Sequence, residues 1–240
     1  MNYIENIYIC IAAPILVAIL AMSRGDVNTK DDKALKIVRS NRRRVMVFLL
    51  TGMTICLLSS YISTFLALLL EADKQEATWE ITPMVEEVMK FLPTLFYILV
   101  FEPESKEESA VNILFVAVGF ATLENICYLT ANGASEIYHL ALRGFGTGVM
   151  HVVCGELVYV GFVFLWDEFW LRFAGIAGLL SLAATYHAIY NILVSQDGIT
   201  AWVGYLIPMV TALLMLHLRV RIRKTRQKNE MKTDSEDVGQ

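Results

Sequence analysis

The sequence predicts an all-α fold, a polytopic transmembrane helix bundle of about seven spans, and three observations predict it. Of its 240 residues, 56% are hydrophobic and 18% charged, and the mean hydropathy of +0.52 is far above that of a water-soluble domain. The apolar residues fall in runs of about 20, the length at which a helix crosses roughly 30 Å of hydrocarbon. Most of the charges, net −4, fall in loops and a C-terminal tail and form no single face, so no basic face exists for nucleic acid.

Hydropathy windows place helices near residues 4–22, 45–70, 80–101, 111–130, 144–166, 173–194 and 200–218. The first run opens Met1-Asn2-Tyr3-Ile4-Glu5, with no basic residue ahead of it and positive charge behind it. It is expected to be a retained anchor, not a signal peptide. Eight basic residues from Arg24 to Arg44, seven from Arg219 to Lys232, and Lys106 and Arg172 fall on one side of a seven-span bundle; only Lys74 and Arg143 fall on the other. That asymmetry puts the N-terminus outside and the C-terminus in the cytoplasm. Trp79, Trp166, Trp170 and Trp202 sit at span ends, where amphipathic rings favour the interface. Residues 1–218 read as one integral membrane domain, and 219–240 as a basic, then polar tail expected to be disordered. Cys10, Cys56, Cys127 and Cys154 lie within apolar runs and read as small hydrophobes.

A charge in the hydrocarbon costs at least about 2.5 kcal/mol and demands a partner or a function. Span three carries Glu86, Glu87 and Lys90, span four Glu124 and Asn125, span five His151 and Glu156, and span six His187 and Asn191. With a rise of about 1.5 Å per residue, Glu86, Glu124, His151 and His187 all come to lie roughly 10 Å below the outer surface. Hydroxyls would join helices at less desolvation cost, so a layer of acids and imidazoles points to function. Glu86 and Lys90 share a face at i,i+4, where they would neutralise each other or serve the layer together. Glu87 points about 100° away from Glu86, so one of the two is expected to face the site. His187 and Asn191 also share a face. Glu156 lies deeper and is expected to pair with Lys90. Arg143 stands at the mouth of the layer, and Gly144 to Gly148 reads as a close-packing segment.

Peptide hydrolysis needs an activated water, a proton carrier and donors for an oxyanion, and such a layer supplies all three. The chain has no His-Glu-x-x-His helix and no Gly-x-Ser-x-Gly, and its span-end aspartates, Asp167 and Asp197, are not buried in a span. Four elements in order over residues 80–195 carry a resemblance: Glu86-Glu87-x-x-Lys90; Gly119-Phe120-Ala121-x-x-Glu124-Asn125-x-x-Tyr128; Arg143 followed by Met150-His151; and His187-x-x-x-Asn191. Together they resemble the PrsW family of intramembrane proteases, within the superfamily of CAAX prenyl proteases and bacteriocin-processing proteases.

The resemblance implies a multi-pass protein of a bacterial cytoplasmic membrane. Its partners would be the lipid bilayer and a membrane-anchored substrate such as an anti-sigma factor, cut at an extracytoplasmic site. The CAAX relatives have Arg at the position of Lys90 and His at that of Glu124, so their residue roles do not transfer whole. Two mechanisms stay open. In one, Glu86 or Glu87 activates water with help from His151, His187 and Asn191 donate to the oxyanion, and Glu124 orients a histidine. In the other, His151, His187 and Glu124 bind zinc. Lys90, Asn125 and Arg143 support either. The rivals are a cation- or proton-coupled transporter, which moves solute and cleaves nothing, and a silent scaffold, which tolerates single alanine changes.

Overall fold

A chain crossing hydrocarbon must satisfy every backbone N–H and C=O internally, which helices do. The computed structural model describes residues 8, 11–16, 42–101, 106–132, 137–165 and 169–237, and among them it holds helices and no strand. The elements are α1 (Arg42–Leu69), α2 (Lys74–Glu76), α3 (Thr82–Phe101), α4 (Lys106–Asn132), α5 (Ile137–Leu142), α6 (Val149–Leu165), α7 (Phe169–Val194) and α8 (Ile199–Asp237). Two π-helical turns, Ala77–Ile81 and Arg143–Gly148, lead into α3 and α6.

Five stretches are long and apolar enough to cross a membrane: Arg43–Leu69, Val111–Ala131, Leu140–Phe162, Phe169–Val194 and Ile199–Leu218. α3 has 20 residues, enough for a span, but Glu86, Glu87 and Lys90 set it apart from the apolar five. The expected first span, 4–22, lies outside the described residues except for Tyr8 and 11–16. α8 continues to Asp237; the segment from Arg219 to Asp237 is rich in Arg and Lys and has neither Gly nor Pro to stop a helix.

α4 and α6 form the centre: 67% and 78% of their spans are buried, against 17–22% for the spans of α1, α7 and α8. Leu50, Leu57, Phe65, Phe96, Phe173 and Leu213 face outward, a surface that suits lipid and would aggregate in water. α1 meets α4 at two glycines. A Cβ on Gly52 would lie 2.2 Å from Val116 O, and one on Gly119 would lie 2.1 Å from Leu49 O. The small-residue crossing therefore brings backbone against backbone, and it explains the glycine that opens the Gly119-Phe120-Ala121 element.

Candidate active site

Four elements supply the site. α3 brings Glu86, Glu87 and Lys90; α4 brings Glu124 and Asn125; α6 brings His151; α7 brings His187. The side chains of Glu86, Glu87, Lys90, Asn125, His151 and His187 are all buried, whereas Glu124 keeps 27% of its side chain exposed. The layer inferred from helical rise is thus brought into direct contact.

Glu87 is the most constrained of the acids. Its Oε1 accepts from Lys90 Nζ at 2.7 Å and lies 2.8 Å from His187 Nδ1. With Nδ1–H donating to that carboxylate, neutral His187 holds a lone pair on Nε2. That Nε2 lies 3.9 Å from Oε2 of Glu86, an oxygen that is buried and has no hydrogen-bond partner in the protein. These partners separate the two adjacent acids. Glu87 orients a histidine, and Glu86 keeps an oxygen open.

His151 is held from both ends. Lys90 Nζ is 2.9 Å from its Nδ1; an ammonium has only hydrogens to offer, so Nδ1 accepts and the ring proton sits on Nε2. Nε2 in turn meets Glu124 Oε2. Glu124 Oε1 accepts from an Arg143 terminal nitrogen at 2.7 Å, and the guanidinium lies 4.0 Å from the centroid of Tyr128. The two imidazoles stand edge to face with centroids 5.0 Å apart. Phe120 closes one wall, 5.1 Å from His151 and 5.0 Å below Lys90 Nζ. Phe120 and Tyr128 had no role assigned from the sequence, although the i,i+4 spacing of Glu124 and Tyr128 on α4 is a signal that both touch one partner.

Asn191, expected as an oxyanion donor, and Asn125, expected as a support, also have defined neighbours. Asn191 Nδ2 donates to Thr78 O at 3.1 Å, which ties α7 to the first π turn. Asn125 packs beside the second π turn, where a Cβ on Gly148 would lie 3.2 Å from its Nδ2. In that turn a Cβ on Gly146 would lie 2.6 Å from the Tyr205 ring, as expected of a close-packing segment. Lys90, expected to pair with Glu156, places its ammonium on Glu87 and His151.

Glu86, His151 and His187 each offer one ligand atom within 4.8 Å of the others and form a group that could hold a metal ion. The carboxylate in that group is Glu86; the expected Glu124 is engaged by Arg143 and His151. Two histidines and a carboxylate are a donor set of three-ligand catalytic zinc sites. Glu86 with its open oxygen fits, and so does His187, whose Nδ1–H on a carboxylate is the usual outer-shell support of a metal ligand. His151 fits through Nδ1 once Lys90 releases it, with the ring proton kept on Nε2 towards Glu124.

Fold and site together define a polytopic membrane protein with a buried glutamate and histidine centre. The family model described as PrsW family intramembrane metalloprotease matches residues 40–217, which include every residue of the site. The chain belongs to the PrsW family, and is therefore a multi-pass, membrane-embedded protease acting on membrane protein substrates. No curated protein and no solved structure matches it.

Proposed function

We propose that the protein is an endopeptidase that hydrolyses a peptide bond of a single-pass, membrane-anchored substrate of the anti-sigma-factor kind, near the extracytoplasmic face, with Glu86 as the base. The observation that carries this reading is the open Oε2 of Glu86, 3.9 Å from His187 Nε2. One water bridges two acceptors at that separation. It would donate one hydrogen to each and turn its lone pairs towards a scissile carbonyl. Glu86 takes the proton as the water oxygen attacks, and returns it to the leaving amine as the C–N bond breaks.

Glu87 fixes the ring of His187, and Lys90 balances its charge. His151 and Glu124 form a second proton-holding pair beside the first. Arg143, whose buried Nε has no partner, takes over from Asn191 as the donor assigned to the developing oxyanion. A metal bound by Glu86, His151 and His187, for which zinc suits the donor set, would supply Lewis acidity to water and carbonyl. In this reading residues 1–218 form one membrane domain with the N-terminus outside, and α3 and the first apolar run complete seven spans in a bacterial cytoplasmic membrane.

The test is cleavage of a panel of single-pass substrates by the purified protein in lipid. Glu86→Gln is expected to lower kcat by about 10²–10⁴-fold, the usual worth of a general base. Glu87→Gln, which loosens His187 and leaves the Lys90 ammonium without its carboxylate, is expected to cost about 10–100-fold in kcat and to lower stability. The reverse order would transfer the base to Glu87. Loss of activity in a chelator, restored by zinc, would assign the metal; full activity in the chelator would leave water activation to Glu86 alone. Solute flux with no cleavage would sink the peptidase reading.

A further inference from the structure

A cavity of about 380 Å³ runs between α1 and α3. Its outer end is formed by exposed Asp73 and Lys74, and its inner end by buried Ser63 and Glu86. Ser60 and Thr64, one helical turn apart on α1 and on either side of Ser63 in height, also line the cavity. Their hydroxyls donate back to the helix, Ser60 to Cys56 O at 3.1 Å and Thr64 to Ser60 O at 2.8 Å. Each oxygen keeps its lone pairs for a further donor. At the inner end, Ser63 Oγ and Glu86 Oε2 are both buried with no hydrogen-bond partner in the protein. The mouth is set by the Asp73 side chain, which accepts from the backbone of Gln75 at 2.7 Å and Glu76 at 2.8 Å.

Buried polar atoms without a protein partner are characteristic of places where water completes the bonding, provided the space is polar and large enough. This cavity is large enough, its wall mixes the hydroxyls of Ser60, Ser63, Thr64 and Thr82 with apolar Ala67, Leu68 and Ala77, and it reaches the proposed base. We infer that it is the entry route for the hydrolytic water, leading from the aqueous phase on the Lys74 side down the hydroxyl face of α1 to Glu86, with Ser63 as the last relay. The inference deepens the proposed peptidase function and rests on it. It assigns Ser63 a positioning role on water; Ser63 does not touch the scissile bond.

The experiment introduces a plug after folding. Ser63→Cys protein is reconstituted in lipid and treated with a small, charged, membrane-impermeant methanethiosulfonate. Wild type, which carries the native cysteines, is the control for labelling elsewhere. The expected result is labelling of Cys at 63 from the Lys74 side and at least a tenfold loss of kcat relative to the unmodified variant. KM should stay within about twofold, and thiol reductant should restore the rate. Ser63→Leu, which fills the inner end permanently, is expected to show the same loss.

Labelling only by a lipid-soluble maleimide would mean a lipid-filled cavity and overturn the inference. So would full labelling with an undiminished rate, which would bring water by another path. Labelling is read without peptidase activity. A wet cavity in a wild type that cleaves nothing would therefore count against the peptidase reading, and a dry cavity in an active enzyme against this inference alone.

Discussion

Lys90 shows how much one buried side chain can determine. It is 3% exposed, and its ammonium holds Glu87 and His151 at once. Replacing one partner of a buried ion pair leaves the other charge uncompensated, so Lys90→Met is expected to cost about 3–5 kcal/mol of stability, measured by thermal or denaturant unfolding in detergent. Lys90→Arg should recover part of it. Asn191→Ala removes only the bond to Thr78 O. Hydrogen bonds between membrane helices average about 0.6 kcal/mol, so the expected change is a small drop in stability with kcat within about twofold. A hundredfold loss in kcat would return Asn191 to the reacting centre. Every side chain of the cluster could be named from the sequence, because charges inside apolar runs are costly and conspicuous. The division of labour between Glu86 and Glu87 could not, since it depends on which carboxylate meets His187 Nδ1 across 100 positions of chain.

At the scale of elements, the site depends on α4 staying close to α1. Gly119 lies one residue before Phe120, which walls His151 and Lys90, and five before Glu124. Gly119→Ala would push a methyl to 2.1 Å from the Leu49 carbonyl oxygen, a backbone atom that cannot rotate away. Overpacking of this kind costs about 1–3 kcal/mol. The expected outcome is a lower unfolding temperature together with reduced cleavage, because separating the helices also moves Glu124 away from His151. Gly178→Ala on α7, where a Cβ meets nothing within 4 Å, should change neither. Equal behaviour of the two variants would show that the crossing is not tight. The two π turns act alike. Each ends a connection and starts a site helix, and each is tied to another site element, Thr78 to Asn191 and Arg143 to Glu124. Neither turn was legible in the sequence, because a widened turn has no hydrophobic period of its own.

For the whole molecule, the orientation proposed from the asymmetry of basic residues has Lys74 outside and the C-terminal tail inside. In intact cells, an impermeant thiol reagent is expected to label a cysteine placed at Lys74 and to miss one placed at Arg226. The opposite pattern would invert the bundle and move the cavity mouth to the cytoplasm. Composition and run length determined that this chain crosses a membrane as helices, because hydrocarbon leaves no other way to satisfy the backbone. Spacing along those helices determined that Glu86, Glu124, His151 and His187 share a depth, because helical rise converts position into height. The tertiary structure alone decided which atoms face one another: Glu86 with an open oxygen, Glu87 and Lys90 as supports, and Glu124 drawn to Arg143. Depth follows from a single helix, but facing depends on the rotation and closeness of four, and these are set by glycine crossings and side-chain packing between segments far apart in the chain.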